Sequence, residues 1–277
     1  MRSWRPSGRA SSPRPVAEEL EAELAAALES RMEARWILER ATSEAHAREL
    51  CQRRIGGEPL QYVLGSWSFR TLELEVNPAA LIPRPETEQL VEHALGCVAD
   101  LDSVRVVDLG CGTGAVGLSI AAELGARASV TCTDLSDAAL GLARANAERL
   151  GLEVDFCEGS WFDALDPSAE ASFDLVISNP PYVARRFASS LDPVLSHEPE
   201  MALFAEDVVA GPAGFADVAH LIRHAPRWLR PGGWLALEMS ETQVAHAIGA
   251  ARIGGMVEVR GFLDLAGSPR GILARRP

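Results

Sequence analysis

The residues best placed to do chemistry are Ser178-Asn179-Pro180-Pro181-Tyr182. A planar amide or aromatic amine is a poor nucleophile because its nitrogen lone pair is delocalised. Attack on an electrophilic methyl group therefore needs that lone pair aimed and the growing positive charge met by acceptors. Asn179 supplies a side-chain carbonyl. Pro180 supplies a backbone carbonyl, in a segment that Pro181 stiffens and that offers no competing N–H donor. Tyr182, one of only two tyrosines, is expected to pack flat against the planar group. No general base is needed, since the nitrogen becomes acidic once methylated and loses its proton afterwards. Alone, Asn-Pro-Pro is also an ordinary strand-ending turn.

A second constellation is Asp108-Leu109-Gly110-Cys111-Gly112-Thr113-Gly114, followed by Asp134. The glycines let backbone approach a ligand closely, and a carboxylate at Asp134 can accept both hydroxyls of a ribose. Together they imply an adenosine-containing cofactor. Gly112, Gly114 and Gly117 also satisfy GxGxxG, so the motif by itself admits a nicotinamide dinucleotide or S-adenosylmethionine. Asp108 favours the latter, because an acid at the strand end suits a cationic amino-acid moiety and repels a pyrophosphate. Asp134 has a bland alternative as a helix cap, for which Ser136 is an equal candidate.

Both constellations must sit at strand ends. Strands are expected at Val104 to Leu109, Ser129 to Asp134, Val154 to Cys157, Phe173 to Ser178, Gly233 to Met239, Met256 to Arg260 and Ile272 to Arg275. Helices are expected at Ala115 to Leu124, Asp137 to Leu150, Phe215 to Leu229 and Thr242 to Ala251. Such alternation predicts an α/β domain with a seven-stranded, mostly parallel Rossmann-like sheet covered on both faces. The terminal hairpin would add one antiparallel strand. The glycine loop and the Asn-Pro-Pro loop then share the carboxyl edge, where ligands bind.

Upstream, four regions are expected: a disordered tail over 1–15, a helical domain over 16–58, a β-hairpin linker over 59–83 and the catalytic domain over 84–277. The tail is rich in Pro, Ser and Arg, with neither a secretory apolar run nor an amphipathic transit pattern. Leu20, Leu24 and Leu28, then Trp36, Ile37 and Leu50, follow helical spacing and imply two or three helices, ended by Gly56, Gly57 and Pro59. YVLGSWSF and LELEV read as strands.

Composition removes whole classes. All 26 basic residues are arginine, so Schiff-base, pyridoxal-phosphate and phosphate-loop lysine chemistry are excluded. A net charge of −13 argues against a protein that grips long nucleic acid through phosphates. Five cysteines without CxxC spacing, and a His220/His224 pair lacking the glutamate of HExxH, give no metal site. No apolar run approaches membrane-spanning length, and the unpaired cysteine count suits a reducing cytoplasm.

Taken together, the sequence resembles the PrmC/HemK family of N5-glutamine methyltransferases, which modify the glutamine of the Gly-Gly-Gln motif in class 1 peptide chain release factors. The likeness rests on GEPLQYVLGSWSF, NPAALIPRPETEQLVEHAL, DLGCGTGAVGLSIA, SNPPYV, HEPEMALFA and DLAGSPRGILAR. The glycine loop and Asn-Pro-Pro-Tyr are shared by many amino-methyltransferases; LIPRPET and the preceding hairpin narrow the assignment. The resemblance implies a class I methyltransferase fold, with Gly110, Cys111, Gly112, Thr113 and Gly114 around the methionyl part of S-adenosylmethionine. It further implies Asp134 on the ribose, Trp161 by the adenine, and Asn179, Pro180, Pro181 and Tyr182 on the substrate glutamine. S-adenosylhomocysteine would be the product and a release factor the partner of a cytoplasmic monomer. Two departures stand out: Ser160 replaces an aspartate that accepts from the adenine amino group, and the N-terminal domain is shorter than usual.

Three rivals remain. A nucleic-acid methyltransferase acting on an exocyclic amine such as adenine N6 makes the same demands on Asn179 and Pro180, but it would need base flipping and a basic recognition segment. Only Arg185 and Arg186 follow the motif. A silent scaffold would not need Asp134 and Asn179, and a nicotinamide oxidoreductase leaves Asn-Pro-Pro-Tyr unexplained.

Overall fold

The computed structural model describes residues 14–277, so the expected tail lies outside the described residues up to residue 13. Helix α1 (Arg14–Leu28) begins one residue before Pro15, since a proline in the first helical turn costs no hydrogen bond. The chain divides into two compact units, residues 1–64 and 65–277.

The described part of the first unit is helical. After α1 come α2 (Arg31–Arg40), α3 (Glu44–Ile55) and α4 (Leu60–Leu64). Ser30 and Ser43 cap α2 and α3 by accepting from the N–H groups of Glu33 and His46. Leu20, Leu24, Ile37, Leu50, Cys51, Leu60 and Val63 form its core. The described stretch up to residue 58 holds three helices, within the number expected, and one expectation changes beyond it: Tyr62-Val63-Leu64 closes the short helix α4 instead of opening a strand. A short apolar run carries no clear period, and here it turns inward onto the helical core.

The second unit opens with the hairpin β1 (Ser66–Phe69) and β2 (Leu72–Glu75), antiparallel with Trp67 opposite Leu74. Leu72 and Leu74 are buried while Glu73 and Glu75 face out, the alternation expected of a half-buried strand. Helix α5 (Pro85–Cys97) follows. The main sheet then alternates β3 (Val104–Leu109), α6 (Ala115–Leu124), β4 (Ala128–Asp134), α7 (Asp137–Leu150) and β5 (Asp155–Glu158). Next come β6 (Phe173–Ser178), two short strands β7 (Val183–Ala184) and β8 (Phe204–Ala205) around α8 (Glu200–Leu203), and α9 (Ala216–Trp228). The chain ends with β9 (Leu229–Glu238), α10 (Glu241–Ile253), β10 (Val257–Leu263) and β11 (Pro269–Arg275).

The seven-stranded order is β10-β11-β9-β6-β3-β4-β5. All pairings are parallel except those of β11 with β9 and β10, so β11 is the one antiparallel strand expected. From β3 the chain winds outward through β4 and β5, then returns to place β6 on the other side of β3. That reversal opens a crevice at the carboxyl ends of β3 and β6. The parallel pair β7–β8 was not foreseen, because two-residue strands leave no periodic signal. Among the described residues, no helix is long and apolar enough to cross a membrane.

Candidate functional site

The crevice is a cavity of about 440 Å³. The loop from β3 to α6 forms one wall. Gly110, Gly112 and Gly114 adopt φ values of 72°, 55° and 84°, a region costly for any residue with a Cβ. A Cβ on Gly110 would lie 3.1 Å from the Trp161 ring, so glycine lets that indole lie against the loop. Gly114 is not in the cavity wall; it caps α6 from behind, where a Cβ would come within 2.9 Å of Leu118. Gly110, Cys111, Gly112 and Thr113 do line the cavity.

Asp134, also in the wall, accepts from the Gly112 N–H on one oxygen and the Ser136 N–H on the other, each at 2.9 Å. The α7 cap itself is Ser136, whose hydroxyl accepts from Ala139 N–H. The bland reading of Asp134 as the cap therefore goes to its neighbour. A buried side chain absent from sequence reasoning braces the same loop. Asn146 of α7 pairs with both backbone groups of Glu75 at 2.7 and 3.0 Å and donates to the Thr113 carbonyl at 3.0 Å.

Asp108 is 1% exposed and accepts from the Gly117 N–H in the first turn of α6 at 2.9 Å. Burial pushes its carboxyl up to about 7, the Gly117 hydrogen bond opposing and the nearby Asp134 adding to the rise. The folded chain thus holds more protons than the unfolded chain between the ordinary aspartate value of 3.8 and about 7. Stability must fall as pH rises through that window, by on the order of a few kcal/mol. Calorimetry of the ligand-free protein is expected to show a lower Tm at about pH 8 than at about pH 5, and Asp108→Asn, which keeps an acceptor for Gly117, should shrink the difference. An unchanged difference would remove Asp108 as its source.

Trp161 stands at the rim with a φ of 49°, a conformation costing about 1–3 kcal/mol for a residue with a side chain. Its indole N–H faces Asp217, opposing the rise that burial imposes on that carboxyl. Ser160 also lines the cavity.

The opposite wall follows β6. The hydroxyl of Ser178, fully buried, donates to the Leu109 carbonyl at 2.6 Å and pins the ends of β3 and β6 together. Asn179 thereby faces the glycine loop across the cavity. Its amide NH2 donates to the Thr87 hydroxyl at 3.2 Å, which turns the side-chain carbonyl away from Thr87 and leaves it as a free acceptor. Pro181 lines the cavity, whereas Pro180 is buried behind it. Tyr182 is not in the wall. Its hydroxyl donates to Glu238 Oε1 at 3.3 Å, and its carbonyl accepts from the Gln243 amide at 3.1 Å. The flat packing expected of Tyr182 is thus replaced by an inward anchor.

The residues of LIPRPET and HEPEMALFA close the third side. Glu198, 5% exposed, accepts from the Ile82 N–H at 3.0 Å and pairs with Arg84. Ile82, Arg84, Thr87, Met201 and Phe204 all line the cavity. Thr87, Asn146, Gln243 and Glu238 carry no assigned role in the sequence reading; each is a polar residue in an otherwise regular helix or strand, and only burial reveals its use.

The arrangement can hold a ligand with a nucleoside end between Trp161 and Asp134 and an amino-acid end at the glycine loop, with a planar NH2 presented to Asn179. Comparison with known proteins agrees. The sequence model described as a methyltransferase domain matches residues 100–253. The release factor glutamine methyltransferase of Bordetella pertussis is 42% identical over 228 residues, 82% of this chain and 81% of the relative. That of Vibrio cholerae is 45% identical over 208 residues, 73% of this chain and 68% of the relative. A methyltransferase crystal structure from Pyrococcus furiosus, 19% identical, shares the fold with a TM-score of 0.53 over 84% of this chain and 98% of that one. By these likenesses, the chain belongs to the release factor glutamine methyltransferase family.

Proposed function

We propose that this chain transfers a methyl group from S-adenosylmethionine to the side-chain amide nitrogen of the Gly-Gly-Gln glutamine in class 1 release factors. One observation carries the reading: the Asn179 carbonyl, freed by the Thr87 hydrogen bond, shares one cavity with the glycine loop and Asp134. The residues present fit the cofactor. The left-handed loop leaves its backbone open to a ligand, Asp134 offers carboxylate oxygens to ribose hydroxyls, and Trp161 offers a ring face to adenine. When bound, S-adenosylmethionine supplies a methyl group on a sulfonium, an electrophile that needs no metal and no activation by lysine.

The chain's own residues do the rest. The Asn179 carbonyl accepts an N–H of the glutamine amide, aiming the nitrogen lone pair and stabilising the positive charge that grows there, while Pro180, buried behind the wall, backs that strand end rather than contacting the substrate. Pro181 keeps that backbone stiff. The walls built from Ile82, Met201 and Phe204 exclude water, which strengthens these dipoles. The extra proton leaves the alkylated nitrogen to solvent. A release-factor substrate supports a cytoplasmic location for the enzyme.

Ser160 takes the position from which a carboxylate would meet the adenine amino group. Ser160→Asp is expected to tighten cofactor binding by about three- to tenfold. An analogue lacking the 6-amino group should gain nothing, and calorimetry with both compounds would expose an equal gain.

The function itself is tested by offering labelled S-adenosylmethionine with three acceptors side by side: an unmodified release factor, the same factor with its Gly-Gly-Gln glutamine replaced, and duplex DNA with structured RNA. Label on the first alone supports the proposal. Label on nucleic acid with a blank release factor would keep the chemistry of Asn179 and overturn the substrate.

A further inference from the structure

Three motifs that the mechanism leaves partly unused meet at one side chain. Glu238 closes β9, 1% exposed, directly after the buried apolar run Trp234-Leu235-Ala236-Leu237. Its Oε1 accepts from the Tyr182 hydroxyl of SNPPYV. Its Oε2, buried, has no hydrogen-bond partner among the described residues, and the Thr87 hydroxyl of LIPRPET acts on the carboxyl in the direction that favours its ionised form. Arg270 of DLAGSPRG is the facing cation, held at 2.9 Å by Asp264. Thr87 in turn accepts the Asn179 amide. A buried carboxylate without a full set of partners is costly, so its retention calls for a use.

We propose that Glu238 is the positioning residue of the acceptor site, fixing the direction of the Thr87 and Tyr182 hydroxyl protons and through them the orientation of Asn179. This rests on the glutamine-methyltransferase reading and deepens it. Thr87 Oγ1 can accept from Asn179 only if its own proton points elsewhere. Ionised Glu238, which has only acceptors, draws that proton and the Tyr182 proton toward itself. The Asn179 NH2 then stays on Thr87, and its carbonyl stays on the cavity side. Protonated Glu238 becomes a donor, frees the Thr87 proton to rotate toward Asn179, and loosens the amide. The groups facing Glu238 are Tyr182, Thr87, Glu86 of α5 and Arg270 of β11. Burial outweighs the opposing pull of Thr87, Arg270 and Tyr182, and Glu86 adds to it, bringing the carboxyl up to about 7. Ionised Glu238 being the competent form, kcat rises with pH through that value.

The test compares wild type, Glu238→Gln and Thr87→Val by two readouts. The first is kcat and KM for the release factor against pH, with the cofactor Kd alongside. Glu238→Gln is expected to lose the rise of kcat near pH 7 and to lower the plateau about tenfold, leaving cofactor affinity within about twofold; Thr87→Val should do likewise. The second needs no substrate: the Asn179 side-chain amide resonance in nitrogen-15 spectra should titrate with Glu238 in wild type and stay still in Glu238→Gln. A wild-type kcat and pH profile in both variants, or a wild-type amide that does not titrate, overturns the positioning role. Absence of methyl transfer by wild type, with the amide titrating, would instead overturn the substrate assignment and leave the positioning role standing. If Glu238→Gln does not fold, Thr87→Val decides alone: an unchanged profile refutes the proposal, and a flattened one supports it.

Discussion

Asn179→Ala is expected to lower kcat for glutamine methylation by about 100- to 1,000-fold, with cofactor Kd altered by less than about threefold. The expectation follows from geometry. The Asn179 amide nitrogen is spent on Thr87, so what the side chain presents to the cavity is a carbonyl already aimed before substrate arrives. Such an acceptor matters little to the ground state, where a neutral amide can lie in several orientations. It matters greatly as positive charge develops on nitrogen in a site with low water content. Loss should therefore appear in kcat more than in KM. Single-turnover kinetics with saturating cofactor, together with calorimetry for cofactor binding, separate the two. A fall confined to KM would mean that Asn179 only gathers substrate.

The second large effect belongs to Asp134. Asp134→Ala should weaken S-adenosylmethionine by about 30- to 100-fold while turnover at saturating cofactor stays within about fivefold of wild type. Besides any ribose contact, the carboxylate holds the N–H groups of Gly112 and Ser136. Alanine would release the glycine loop from the start of α7. Asp134→Asn can keep one of those two acceptor contacts but not both, so its affinity should fall between. Equal affinity for alanine and wild type, measured by calorimetry, would remove Asp134 from the cofactor site.

The features most legible in the sequence were those built on local rules. The strand and helix alternation, the one antiparallel strand and the glycine turn all follow from short-range pattern. The reversal from β5 back to β6 then brings Asn179 opposite Gly110 with no further information needed. Less legible was anything decided by what lies behind the first layer. Glu238 reads as a polar interruption in LALEM, and Asn146 as a polar position on a helix. Each acquires meaning only because distant segments, residues 87 and 182 for one and residues 75 and 113 for the other, arrive at it. Tyr182 was identified and its direction was not. A phenol has an apolar ring and a polar tip, and the choice between stacking on a ligand and donating inward depends on whether a buried acceptor waits nearby. Tyr62-Val63-Leu64 became helix for a related reason, since a short apolar run takes the conformation that its tertiary neighbours favour.

The most direct measurement is to incubate an unmodified release factor with the enzyme and S-adenosylmethionine, digest it, and locate the added methyl by fragmentation mass spectrometry. The expected result is one methyl group per chain, on the side-chain amide of the Gly-Gly-Gln glutamine, and none with Asn179→Ala over the same interval. A methyl group on any other residue, or equal modification by Asn179→Ala, would contradict the site and the chemistry assigned to it.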